Sequence, residues 1–470
     1  MFLGREQELK FFEDKYNAPG GQLIVLYGRR RVGKTELLHK FCEDKPHVFY
    51  SCREVADAKQ IKAFSERVLS SGIPAAKYVN VFADWEAAFR SIVELPSNGG
   101  KKLLIIDEFP YMCKGNLSIP SILQNLWDET LKNENVMLIL CGSAMSFIEK
   151  ELLSEKKPLY GRATGIYKMN EMPFYDAIKF FPNYSDEDKI LAYSVLGGIP
   201  HYLRQFDPKL SLGENIIKNT LTKGCVLYSE VEFLLRQELR ETAMYNTIIE
   251  AIALGNTQLN DIYTKTQLDK SKISVYLKNL MDLEIIEREF SVLSGDKEKA
   301  SSSKGLYQIS DNFFRFWFAF VFTNLSDLEA GDAEGVYKHF VLPQLNEFAS
   351  PVFEHICKEF IRKLNREDRL PFRAAKVGRF WGGKKGGAVE IDVMAVDKGE
   401  NNILLGECKF RKEKVGQGDY EKLVAKYKPV SPAKVMYSLF SKSGFTKGLI
   451  DEAGKDEALV LYTIGDIIKE

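Results

Sequence analysis

Residues 28–35 read Gly-Arg-Arg-Arg-Val-Gly-Lys-Thr, which fits the spacing G-x-x-x-x-G-K-[ST] at each fixed position. The residue types dictate a chemistry. Gly28 and Gly33 let the backbone wrap a chain of phosphates, with N–H groups pointing inward at a helix N-terminus. The run through Arg29, Arg30, Arg31, Val32, Lys34, Thr35 and Glu36 would line that nest. The Lys34 ammonium would reach β- and γ-phosphates, and the Thr35 hydroxyl would bind Mg²⁺. The ligand this predicts is ATP with Mg²⁺. The same residues also fit a purely structural glycine turn. Context argues against that turn: a buried strand pattern ends at Tyr27, and a helical pattern, TELLHKF, follows.

A second element supplies the acids. The apolar run Leu103-Leu-Ile-Ile ends in Asp107-Glu108. Acids at the C-terminal edge of such a strand sit where ligands of α/β sheets bind. Asp107 would hold Mg²⁺, directly or through water, and Glu108 would polarise the attacking water as general base. A solvated strand end gives the same pair, but not beside a phosphate loop. The next apolar run ends Cys141-Gly-Ser143. Ser143 fits two roles, a sensor of the γ-phosphate or the water, and a cap for the helix beginning near Met145.

The C-terminal third carries a different set. Asp392 lies in Glu-Ile-Asp-Val-Met-Ala, and Glu407 and Lys409 lie in Leu-Leu-Gly-Glu-Cys-Lys. On a strand, Glu407 and Lys409 are two apart and share one face. From Arg369 to Lys447 there are 17 basic against 8 acidic residues, an excess of nine. Such a local excess is a footprint for phosphate backbones. Trp381 suits stacking on a base and suits packing equally well.

Elements must position these groups. The first 145 residues alternate strand and helix signals. Strands are predicted at Gln22–Tyr27, Val48–Ser51, Lys102–Asp107 and Val136–Cys141, and helices at Ile61–Leu69, Trp85–Val93 and Ser121–Leu131. Near-continuous apolar strands suit a parallel sheet covered on both faces. Helices follow at Asp186–Leu196 and Ser229–Glu238. Three helical segments, Tyr245–Ala253, Leu259–Thr264 and Ser271–Leu283, precede two strands, Ile285–Phe290 and Leu306–Ile309. That order outlines a winged helix-turn-helix. Its recognition helix would expose Lys270, Lys272, Ser274 and Tyr276 and bury Leu277, Leu280 and Leu283. Its wing would offer Lys297, Lys299 and Lys304. Asp269, Asp282 and Glu284 oppose DNA contact there, and an interdomain packing role stays open. An aromatic-rich helical connector, Asn312–Leu345, leads to a helix at Pro351–Leu364. Strands are then predicted at Ala388–Val396, Ile403–Lys409, Lys434–Ser438 and Leu459–Thr463. The fold class is therefore α/β. It comprises a phosphate-loop sheet (1–172), a helical lid (173–240), a winged helix (241–311), a connector (312–349) and a small α/β domain (350–470).

Composition bounds the rest. The 470 residues carry 65 Lys+Arg and 65 Asp+Glu, so any nucleic-acid surface must be local. A hydrophobic content of 45% excludes a wholly disordered chain. The seven cysteines form no CxxC pair, so neither a disulfide framework nor a zinc knuckle is indicated, and reduced thiols are expected. The five histidines are scattered and form no metal or Ser-His-Asp set. With no signal-peptide core and no apolar run of membrane-spanning length, the expectation is a cytoplasmic protein without membrane contact.

GREQEL near the start, GRRRVGKT, LLIIDEF, CGSA, PLYGRAT and GGIPHYL together resemble, in order, the archaeal-type ATPases of the AAA+ and STAND group. The likeness covers the whole chain, and its specific motifs lie in the first half. It implies that Gly4-Arg5-Glu6 and Pro200 lie near the adenine and that Arg162 is an arginine finger or sensor, within one chain or across an oligomer. A surface Arg paired with a carboxylate is the other reading of Arg162. The likeness leaves the roles of Arg29, Arg30 and Arg31 open. Asp392, Glu407 and Lys409 resemble the PD-(D/E)xK nuclease core. That resemblance implies a divalent metal on Asp392 and Glu407, a water-orienting Lys409 and an accessory acid at Glu354. A degenerate core that binds without cutting also fits. Two functions follow: an ATPase coupled to a DNA-binding or nuclease-like end, or a nucleotide-driven signalling switch with an inert end.

Overall fold

The computed structural model describes residues 2–300, 305–382, 389–429 and 432–469. The chain divides into two compact units, Met1–Met172 with Ile199–His201, and Pro173–Gly198 with Tyr202–Glu470.

The first unit is built on five strands: β1 (Gln22–Tyr27), β2 (His47–Ser51), β3 (Lys102–Asp107), β4 (Val136–Gly142) and β5 (Gly165–Lys168). All pair in parallel, in the order β2-β3-β4-β1-β5. β1 and β4 are buried along their whole length, as their unbroken apolar sequences require. Leu23, Val25, Leu104, Ile106, Leu138 and Leu140 belong to one core cluster. β5 was absent from the sequence reading. It is a four-residue edge strand with alternating exposure, and Ile166 is 51% exposed. An edge strand needs no apolar run, so it leaves no such signal. Helices Lys34–Cys42, Asp57–Leu69 and Ile119–Glu129 flank the sheet sequence, the latter two starting earlier than predicted.

In the second unit, helix Asp186–Leu196 starts at Ser185, whose side chain accepts from Asp188 N–H. Helices Thr242–Ala253, Leu259–Thr266 and Lys270–Asp282 precede an antiparallel hairpin of β6 (Ile286–Glu289) and β7 (Leu306–Ile309). The segment after β6 does not project freely. Val292 N–H donates to Arg379 O at 2.8 Å, and Ser291 Oγ accepts from Trp381 N–H at 3.3 Å. This chain therefore lies along β8 (Lys376–Gly382).

The connector is a series of short helical turns rather than one helix, with Phe313, Phe314, Phe316 and Trp317 almost wholly buried. The following helix spans Leu342–Arg366, starting before the predicted Pro351, which lies in its interior. Burial of Val352, Phe353, Ile356 and Phe360 carries the helix past the missing N–H. β8, β9 (Val389–Val396), β10 (Asn402–Lys409), β11 (Lys434–Ser441) and β12 (Leu459–Thr463) form a mixed sheet ordered β12-β11-β10-β9-β8. β8 pairs antiparallel with β9 and β9 with β10, while β10, β11 and β12 are parallel. β8, half-exposed and punctuated by Gly378 and Arg379, was not legible as a strand.

Candidate functional site

The bend after β1 is held by close approach. A Cβ on Gly28 would lie 2.1 Å from Met169 O, and Met169 N–H is bonded to Tyr27 O at 2.7 Å. Gly33 has φ +94°, a left-handed conformation that side chains resist. Helix Lys34–Cys42 starts directly after it. Lys34 is 7% exposed, and its Nζ donates to Gly28 O and Arg29 O at 2.8 Å each. Burial lowers its pKa, and the charges of Glu108 and Asp107 oppose that fall.

Thr35 Oγ1 donates to Asp107 Oδ2 at 2.8 Å, joining the loop to the end of β3. Asp107 Oδ1 accepts from Glu108 N–H at 3.0 Å. Glu108 itself has φ +52°, which is costly for a side-chain-bearing residue. Its carboxylate receives Ser143 Oγ at 3.0 and 3.1 Å and Ser143 N–H at 3.4 Å. The helix Met145–Phe147 has Ala144 at its N-cap and no side-chain cap, so the Ser143 hydroxyl is directed at the acid instead. Cys141, wholly buried, also hydrogen-bonds Asp107. The sequence reading missed it, because a cysteine in an apolar strand looks like core.

Arg5 is 3% exposed and left-handed, with φ +70°. Its guanidinium donates to Glu8 at 2.8 Å, Val32 O at 3.0 Å and Asn170 O at 2.7 Å. It thus braces the phosphate loop from behind. Pro200 lies beside Gly33, its Cγ 3.8 Å from where a Gly33 Cβ would stand. Arg30 reaches Tyr111 Oη at 3.5 Å. Arg162 donates twice to Asp128 Oδ2, at 2.9 and 2.7 Å, and to Pro158 O and Tyr160 O. In this state it is the carboxylate-paired arginine of the second reading.

A cleft of about 410 Å³ in the second unit is lined by Ser350, Glu354, Glu390, Asp392, Cys408, Lys409, Phe410, Arg411 and Lys426. Glu354 comes from the helix Leu342–Arg366, Asp392 from β9 and Lys409 from β10, so three elements contribute to this cleft, while Glu407 stands beside it, bonded to Lys409 and Lys426. Asp392 is 9% exposed and Oδ2 accepts from Cys408 N–H at 2.8 Å. Glu407, 7% exposed, accepts from Lys409 at 2.7 Å on Oε1 and from Lys426 at 2.6 Å on Oε2. Burial, then the charge of Asp392, pushes Glu354 up to about 7. Burial, then Glu407, raises Asp392 as well. Among the described residues, no group of three or more His, Cys, Asp or Glu is placed to hold a metal ion. Two hard carboxylates still fit Mg²⁺, which commonly keeps its waters and takes one or two carboxylates plus substrate phosphates.

On the helix Lys270–Asp282, Lys272 and Ser274 are exposed, while Leu277 and Leu280 are buried and Leu283 is half-buried. Tyr276 is engaged within the unit: its hydroxyl bonds Glu241, and its ring meets Tyr245 edge-on at 4.8 Å. Lys297 and Lys299 are exposed. Lys304 and the Lys270 side chain lie outside the described residues. Trp381 is half-buried with the Arg379 guanidinium over its ring at 5.9 Å. All seven cysteines are free, and among the described residues no helix is long and apolar enough to cross a membrane.

Residues 2–206 match an ATPase domain found predominantly in Archaea, and residues 317–421 match a family of archaeal and bacterial proteins of unknown function. An uncharacterised protein of Methanocaldococcus jannaschii is 36% identical over 444 residues, 90% of this chain and 95% of the relative. Among solved structures, a Walker-type ATPase of Pyrococcus abyssi aligns with TM-score 0.49 and 21% identity, covering 67% of this chain and 96% of that one. The ORC2 protein of Aeropyrum pernix aligns with TM-score 0.40 and 14% identity, covering 70% and 95%. The chain belongs to the archaeal-type P-loop ATPase family, and its C-terminal part belongs to a domain class of unknown function.

Proposed function

We propose that the first unit binds Mg-ATP and hydrolyses it, and that this cycle is coupled to a second unit that binds or processes DNA. The Thr35–Asp107 hydrogen bond of 2.8 Å carries the reading, because it joins the two groups that would share one Mg²⁺. The ion would supply charge neutralisation at the triphosphate. Lys34 exchanges two loop carbonyls for β- and γ-phosphate oxygens. Glu108 accepts a proton from the attacking water, and Ser143 sets the orientation of Glu108. Arg5 and Pro200 hold the loop and the base end of the site, with Arg29, Arg30, Arg31, Val32 and Glu36 around the phosphates. Arg162 stabilises transition-state charge once it leaves Asp128.

The segmentation into core (1–172), lid (173–240), winged helix (241–311), connector (312–349) and nuclease-like domain (350–470) is part of this proposal. In the last, Asp392 and Glu407 hold a divalent ion, Lys409 orients water and Glu354 assists. The test of the first half is ATP binding by calorimetry together with phosphate release. Lys34→Ala should lose ATP binding, and an unchanged affinity would refute the loop assignment. Glu108→Gln should keep binding and lose turnover by about 10²-fold or more.

One observation favours the signalling switch. Both Glu407 oxygens already accept from lysines, so this acid's charge is balanced without a metal ion. Mg²⁺- or Mn²⁺-dependent cleavage of DNA, lost in Asp392→Ala, decides for the nuclease-like reading. No cleavage of any DNA or RNA form decides for the switch.

A further inference from the structure

Glu407 is bonded to two residues that line the cleft, and its two oxygens each face a different ammonium. Lys409 belongs to the same strand face, where the spacing of two places it. Lys426 does not. It is the last residue of the helix Gln417–Lys426, and it reaches Glu407 Oε2 across 19 residues of sequence, at 2.6 Å. The bond is made in the cleft itself, since Lys426 lines it together with Glu354, Asp392 and Lys409.

We propose that Lys426 is the resident counter-ion of this cleft, occupying through its ammonium the Glu407 oxygen that a divalent cation must use. The inference rests on the reading of Asp392 and Glu407 as an ion site and deepens it. A carboxylate oxygen has a second lone pair, but an ammonium 2.6 Å from Oε2 sets a full positive charge against any ion that approaches the same oxygen. Entry of a divalent ion therefore displaces one cation by another. The exchange is sterically open. Lys426 ends its helix, Tyr427 is extended, and the Lys426 side chain is 30% exposed, so it swings out without unwinding a turn. Lys409 is not equivalent, because it can stay on Oε1 while Oε2 and the Asp392 carboxylate receive the ion. Asp392 feels the charge of Glu407, and Glu354 that of Asp392; among the described residues no lysine is bonded to Glu354 or Asp392. Lys426 thus offsets the negative charge of the site until the ion arrives. Once displaced, its ammonium stands in the same cleft as Lys409 and Arg411, available to a phosphodiester oxygen. Ion binding and phosphate binding are in this way made cooperative by one side chain.

The test uses Mn²⁺ as probe on the nucleotide-free full chain, with bound ion counted from the loss of the free Mn²⁺ paramagnetic resonance signal. The C-terminal site is the part of the binding that Asp392→Ala removes. Lys426→Met keeps the stem and deletes the charge, and Lys426→Gln is the second variant. Both should bind Mn²⁺ at that site about tenfold more tightly than the parent, the scale of a charge-assisted bond. Equal or weaker binding in both variants, with the Asp392-dependent site still present, overturns the counter-ion role and leaves the ion site standing. Mn²⁺ binding that Asp392→Ala does not change, in parent and variants alike, removes the ion site and this proposal with it.

Discussion

Single side chains in this protein are held by partners that the proposed reactions require them to leave. Lys34 sits on two carbonyls of its own loop and Arg162 on Asp128. The Arg162–Asp128 pair is partly exposed, at 27% and 43%, so it contributes at most about 1 kcal/mol and is cheap to break. The C-terminal acids behave differently. Glu354 has an ordinary value of 4.5 and is pushed up to about 7 by burial and then by Asp392. The folded state therefore binds its proton more tightly than the unfolded chain does. Stability falls as pH rises from about 4.5 to about 7 and is then level for this group. Glu354→Gln should consequently raise the unfolding temperature of the chain at pH 8 more than at pH 5. Equal shifts at the two pH values, in calorimetric scans, would show that no such linkage exists.

Elements position these groups through backbone contacts at a few points. β1 ends at Tyr27, and Gly28 passes Met169 so closely that a methyl group would overlap its carbonyl. Gly28→Ala should push the loop away from β5 at a cost of about 1–3 kcal/mol. ATP affinity should fall with it, while β1 and β4 keep their slow amide exchange. Wild-type affinity in Gly28→Ala would mean that the loop tolerates displacement. In the second unit, the chain after β6 is bonded to β8 through Val292 and Ser291, and Glu289 lies 3.2 Å from Lys358 and 3.6 Å from Arg379. The chain that leaves β6 toward the predicted wing is tied to the edge of the C-terminal sheet, which also shields that edge from stray pairing.

At the scale of the molecule, equal numbers of acids and bases leave no long-range field, yet Arg369–Lys447 carries an excess of nine positive charges. If that surface meets DNA, duplex affinity should fall steeply between 50 and 200 mM salt, by counter-ion release. A flat response in fluorescence anisotropy would dispose of the DNA reading while leaving the nucleotide site untouched. The sequence by itself determined the phosphate loop, the buried strands β1, β3 and β4, and the acids at the end of β3. Each of these is a contiguous stretch whose chemistry and burial are spelled out by neighbours in the chain. The edge strands β5 and β8 escaped it, since a half-exposed edge carries no apolar run. Only the tertiary structure decided that Arg5 grips Asn170 across 165 residues, that Ser143 meets Glu108, and that Lys426 shares Glu407 with Lys409. Such pairs depend on which elements become neighbours. That choice is made by cooperative packing of whole faces, and no local spacing records it.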